Sequence, residues 1–146
     1  MIVLLIDFGQ SEYMGIMKAV IYSVAPQVQI VDLCHDVSPQ SIIEAAWILK
    51  CSHRYFSAGT IFCCVVDPSV GTRRKALAVK TRDYHFLAPD NGLLWETLTE
   101  QTALAVRQIP VPSSASRTFH GRDVFAKAAA QIYPPAVDLP QSIRQP

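Results

Sequence analysis

The sequence has almost no charge surplus of either sign. Thirteen Lys and Arg stand against twelve Asp and Glu, a formal net charge of +1 in 146 residues. Phosphate neutralisation needs a basic surplus, so neither nucleic acid nor an anionic membrane surface is an expected partner. Long hydrophobic runs are also missing. The longest, Ile2 to Ile6 and Ile61 to Val66, fall far short of the roughly 20 residues that cross a bilayer. No basic segment precedes the first run and it stops at Asp7, so no signal peptide is expected and the chain reads as cytoplasmic. Cysteine is scarce: Cys34, Cys51, Cys63 and Cys64 form no C-x-x-C pair. In a chain without a secretory signal that predicts reduced thiols, with neither a disulfide framework nor a zinc or other metal site.

Glycine is sparse as well, with six residues. The segment DPSVGTRRK sets Gly71 beside basic residues but lacks the two-glycine Walker spacing that cradles a triphosphate. DFG at 7–9 and HGRD at 120–123 stand in the wrong order, and in too short a chain, for a protein kinase. What is abundant is apolar: half the residues are hydrophobic and only 17% are charged, with a mean hydropathy of +0.21. Such a chain buries a core, and its length fits one domain of about 150 residues.

The order of periods sets the fold class. IVLLI at 2–6 is a continuous aliphatic run suited to a strand buried on both faces. Met14, Met17, Ile21 and Val24 follow at helical spacing, and Pro26 ends the pattern. The same grammar repeats: VQIVDL at 28–33, the loop CHDVSPQ, and a helix opened by a capping box of Ser41 and Glu44. TIFCCVV forms a third strand, whose alternation makes Cys63 and Cys64 small core hydrophobes. Strands are expected near 76–81, 84–88 and 103–109, a short helix around 93–98, and a last helix carrying HGRD. This alternation predicts an α/β fold, a mostly parallel sheet with helices on both faces. Residues 1–133 form the domain. The remainder, 134–146, holds four of the ten prolines and reads as an extended tail.

In such sheets ligands bind outside the carboxyl ends of the strands. DFG, CHD and DPSVGTRR each follow a strand and would gather at that edge. Asp67 directly follows its strand, and Pro68 restricts the backbone that carries it. His120 opens a helix and titrates near neutral pH, as a proton carrier or as a hydrogen-bonded structural residue. Asp7 could hold a ribose diol or cap the following helix; spacing alone favours neither.

Five colinear blocks carry a more specific resemblance: DFGQSEYMGIMKAVI, VDLCHDVSPQSI, YFSAGTIFCCVVDPSVGTRRKALAV, APDNGLL and TFHGRDVFAKAAA. From about Ile2 to Tyr133 the chain resembles the SAM hydroxide adenosyltransferase family, which also includes SAM-dependent fluorinases and chlorinases. The resemblance implies the N-terminal α/β domain of that fold, with the family's C-terminal β-rich domain absent from this chain. It also implies hydrolysis of S-adenosyl-L-methionine (SAM) to adenosine and L-methionine, by attack of water or hydroxide on the ribose 5′ carbon. Neither metal nor redox cofactor is implied.

By the same resemblance Asp67, Arg74 and His120 are the catalytic triad, Asp7 and Phe8 of the DFG block belong to the substrate site, and Asn91 of APDNG lies at the pocket edge. The family's halogenases lack that triad, so water rather than halide is the expected nucleophile. The family trimer, with SAM between neighbouring subunits, implies a homo-oligomer. Ser69 stands where the family usually has glycine, and Glu12 where an Asp is common. Two other readings remain: a truncated remnant that binds adenosine or SAM weakly or serves an oligomeric role, and a plain structural domain.

Overall fold

In the computed structural model, residues 1–134 are described. All but the first residue of the expected proline-rich tail therefore lies outside the described residues. Six strands form one sheet: β1 (Ile2–Ile6), β2 (Ile30–Cys34), β3 (Ile61–Val65), β4 (Ala76–Lys80), β5 (His85–Pro89) and β6 (Ala105–Ile109). Their spatial order is β2-β1-β3-β5-β4-β6. β2, β1, β3 and β5 run parallel, and β4 is antiparallel to both of its neighbours, β5 and β6. The mostly parallel α/β sheet is as the sequence predicts, with β4 the one reversed strand.

That reversal positions the site. β3 leaves the sheet at its carboxyl edge, and β4 enters at the same edge because it points the other way. The loop 66–75 therefore starts and ends beside the other strand termini, and Asp90 N–H closes that corner on the Lys75 carbonyl at 2.9 Å.

Helices cover both faces. α1 (Glu12–Val24), a π-helical turn (Gly121–Ala126) and α4 (Lys127–Ile132) lie on one; α2 (Ile42–Ser52) and α3 (Trp95–Glu100) lie on the other. The two-residue strand period divides the core accordingly. Ile2, Leu4, Ile6, Cys63 and Val65 pack with Met17, Ile21 and Phe125; Val3, Leu5, Phe62, Cys64 and Val66 pack with Leu49 and Leu93. Burial pushes the Cys63 thiol up to about 12 and the Cys64 thiol up as well, so both stay protonated core groups.

Local signals explain the helix ends. Ser41 Oγ accepts from Glu44 N–H at 3.4 Å, as the capping box requires, but Glu44 Oε2 takes Ser38 N–H at 3.1 Å instead of returning to Ser41. The C-terminal cap of α1 is the Ala25 N–H on the Ile21 carbonyl, one residue before Pro26. α3 starts at Trp95, two residues later than the apolar pattern suggests, because Asn91 and Gly92 are taken up in the preceding turn. Among the described residues no helix is long and apolar enough to cross a membrane.

Candidate active site

Asp67 lies two residues beyond Val65 in the strand period, which turns it toward the α1 and α4 face. Arg74 returns from the same loop just before β4. Its Nε donates to Asp67 Oδ2 at 2.8 Å and its Nη2 meets the same oxygen. The Asp67 and Arg74 side chains are only 4% and 7% exposed, so water screens this ion pair little. The guanidinium also stands 5.5 Å from the centre of the Phe125 ring, and Ser69 Oγ donates to Asp67 Oδ1 at 3.4 Å. Arg74 Nη1 is buried with no hydrogen-bond partner among the described residues. An unspent buried donor of this kind is uncommon away from sites that receive a ligand or water.

His120 completes the line. Arg74 Nη2 lies 2.8 Å from His120 Nδ1. A guanidinium cannot accept a hydrogen bond, so Nδ1 presents its lone pair and the neutral ring carries its proton on Nε2. Burial first, and the Arg74 charge second, hold His120 below its ordinary pKa, while Asp67 and Asp123 pull the other way. The imidazole is therefore neutral at physiological pH.

Two close approaches bring these pieces together. Gly71, at φ +77°, packs against the loop before His120 so tightly that an added Cβ would meet the Arg117 carbonyl oxygen at 2.2 Å. Gly121 sits against Phe8 and Met17, where a Cβ would come within 2.9 Å of the Phe8 ring. A cleft of about 50 Å³ remains, lined by Asp7, Phe8, Asp67, Phe119 and His120 among others. A water needs roughly 10–15 Å³ of such space, so the cleft admits water. It shares Phe8, Thr118 and Phe119 with a wider hollow of about 460 Å³ that also reaches Tyr13 and Arg122. The rings of Phe8, Tyr13 and Phe119 form an edge-to-face trio with centroids 4.8 to 6.1 Å apart.

Asp67, Arg74, His120, Asp7 and Phe8 are thus gathered at one edge of the sheet. Asp7 Oδ2 accepts Gln40 N–H at 2.8 Å, and Gln40 holds a left-handed φ of 65°. Asp7 makes no cap to α1; the Ser11 hydroxyl, at that helix's start, turns back to the Phe8 carbonyl. Asn91 lies apart. Its Nδ2 donates to the Val66 carbonyl at 2.9 Å and its Oδ1 accepts from Leu93 N–H at 3.2 Å, which ties the β5–α3 turn to the end of β3. It lines a separate apolar hollow with Ile43, Trp47 and Trp95. Sequence reasoning missed Tyr13, Phe119 and the Arg122–Asp123 pair, whose one visible signal is the adjacent opposite charges in HGRD. Among the described residues no cluster of three His, Cys, Asp or Glu could hold a metal ion.

A sequence model of the SAM hydroxide adenosyltransferase N-terminal domain matches residues 2–137. A protein of Thermus thermophilus named (R)-S-adenosyl-L-methionine hydrolase is 38% identical, over 92% of this chain and 56% of that protein. Its namesake in Methanocaldococcus jannaschii is 34% identical, over 90% of this chain and 52% of its own length. A fluorinase of Nocardia brasiliensis is more distant, at 27% identity. Among solved structures, an uncharacterized conserved protein from Thermotoga maritima superposes with a TM-score of 0.90 at 39% identity, covering 95% of this chain and 56% of that one. The chain therefore spans about half the length of the relatives it matches. By its sequence and its fold, the chain belongs to the SAM hydroxide adenosyltransferase family and corresponds to that family's N-terminal domain.

Proposed function

We propose that this domain hydrolyses S-adenosyl-L-methionine to adenosine and L-methionine. The observation that carries the reading is the buried line Asp67–Arg74–His120 beside a water-sized cleft that also holds Asp7, in a chain 38% identical to a protein named as such a hydrolase.

The chemistry asks for what these residues offer. A sulfonium leaves as a neutral thioether, so no general acid is needed; water is the difficult partner and must be held and relieved of a proton. Water oxygen attacks the 5′ carbon, the carbon–sulfur bond breaks with its electron pair going to sulfur, and the water proton passes to a base. Arg74 occupies Asp67 Oδ2 and His120 Nδ1. That leaves Asp67 Oδ1, which carries only a long Ser69 contact, as the proton acceptor, and His120 Nε2–H as a donor that orients the water. Asp7 takes the ribose hydroxyls on the oxygen that Gln40 leaves free. Phe8, Tyr13 and Phe119 give the cationic sulfonium a π-rich wall. No metal or redox group enters this scheme. The full site is assembled in a homo-oligomer, a trimer as the resemblance implies, working in the cytoplasm.

The test is chromatographic detection of adenosine and methionine after incubation with each sulfonium epimer of SAM, since the relatives' names specify one of them. Product should form with one epimer and fall about 10²-fold in His120→Ala, which removes the donor that orients the water. Formation of 5′-halo-5′-deoxyadenosine from SAM and halide would overturn the choice of water. No product, together with no thermal shift by adenosine, would favour the structural reading; a ligand at 100 times its Kd adds about 2.7 kcal/mol to stability.

A further inference from the structure

Asp123 lies outside the cleft, three residues beyond His120, with its side chain 14% exposed. Acids in the first turn of a helix commonly cap that turn's own amides, but this one reaches back along the chain. Its Oδ2 accepts the Ser116 N–H at 2.8 Å, seven residues earlier. Arg122 meets both of its oxygens, at 2.7 and 2.9 Å, while the same guanidinium stands 5.0 Å from the centre of the Phe119 ring. The Asp123 N–H donates to the Phe119 carbonyl at 3.2 Å. Residues 116–119 are thus tied to Asp123 at both ends, and Gly71 packs closely on the Arg117 backbone between them. His120 follows immediately, with Nδ1 on Arg74.

We infer that Asp123 is a positioning residue, whose carboxylate pins residues 116–119 and through them holds the His120 ring against Arg74. The π-helical turn that opens at Gly121 belongs to this arrangement. Wide turns of this kind are frequent at functional sites; here the turn directly follows the residue that must be aimed. The inference deepens the hydrolase reading by naming what keeps His120 in place, while its geometry stands on its own.

Two substitutions separate positioning from plain charge. The charged groups facing His120 are Arg74 and Asp67 from the loop after β3, Asp123 from its own helix, and Asp7 across the cleft. Asp123→Asn removes the charge but keeps an oxygen that can accept the Ser116 N–H. Because the Asp123 charge raises the His120 pKa, this variant should lower it or leave it near the wild-type value. Asp123→Ala removes the pin; His120 should come away from Arg74 and from burial, and its pKa should rise toward its ordinary value near 6.5. Ring ¹⁵N and ¹³C chemical shifts of His120, followed against pH, read both the pKa and the tautomer. With SAM as substrate, kcat should fall in Asp123→Ala while KM stays near the wild-type value.

A downward shift in Asp123→Ala like that in Asp123→Asn would overturn the proposal. Where the alanine variant does not fold, Asp123→Ser, too short to reach Ser116, takes its place. Hydrogen exchange in the unaltered chain gives an independent reading: the Ser116 amide should exchange more slowly than the amides of the exposed residues 113 and 114, and equal rates would also overturn it. Turnover by no variant, with the His120 shifts as expected, would sink the hydrolase reading and leave the positioning role standing.

Discussion

Breaking the Asp67–Arg74 pair should cost more than its distances suggest. With both side chains nearly enclosed, removing the cation leaves a buried carboxylate whose one remaining side-chain contact is the long one from Ser69, a loss typically about 3–5 kcal/mol. Arg74→Met should therefore lower the unfolding free energy by about that amount, and the double variant Asp67→Asn, Arg74→Met should recover much of it. Urea unfolding of the two variants and the unaltered chain checks this; equal stability of Arg74→Met and the unaltered chain would mean that the pair is not closed in solution. Gly71 is the second residue on which the site depends. Alanine there meets both an unfavourable positive φ and the Arg117 carbonyl, and residues forced into such backbone regions cost about 1–3 kcal/mol. Gly71→Ala should lower Tm and, by parting the two loops, reduce turnover further than the stability loss explains.

The elements differ in how far the sequence could announce them. β1 was legible to the residue because IVLLI is apolar at every position and all five side chains are buried. The reversal of β4 was not legible, since a two-residue period has no direction; pairing with β5 through the 81–84 turn decides it. The π-helical turn was hidden for a similar reason. It lies where Phe8 and Met17, from distant chain positions, press on Gly121. Asp67, His120 and Asp7 stood out as polar groups at element ends, whereas Arg74 was assigned by resemblance. The Asp123 to Ser116 bond had no sequence signal, because it joins a loop amide to a side chain with no period between them.

The helix faces carry a prediction of their own. Ile43, Trp47 and Trp95, on α2 and α3, are 85%, 64% and 71% exposed and border one apolar hollow of about 530 Å³. Contiguous apolar surface of this kind favours association. Sedimentation velocity should show mass rising with concentration, and Trp47→Lys should suppress it while changing stability by no more than about 0.5 kcal/mol, as exposed substitutions usually do. A single monomeric species at all concentrations would contradict this.

At the scale of the whole molecule, the two histidines held below their ordinary pKa link folding to pH. His120 is one. His85, 5% exposed at the start of β5, is the other; burial first and Lys80 second lower its pKa, and neither ring nitrogen has a partner among the described residues. Above the unfolded value near 6.5 both states hold these rings neutral, and stability does not depend on them. As pH falls through 6.5 the unfolded chain takes up protons that the folded one resists, so stability declines. His85→Leu removes one such group and also removes two buried, unsatisfied polar atoms, whose desolvation costs about 1–3 kcal/mol. The variant should be more stable than the unaltered chain at pH 8, and the gap should widen by pH 5. Chemical unfolding across that range decides the matter. A gap that stays constant would mean that His85 binds its proton equally in both states, and a gap that narrows would mean that the folded chain supplies the ring with a partner once it is charged.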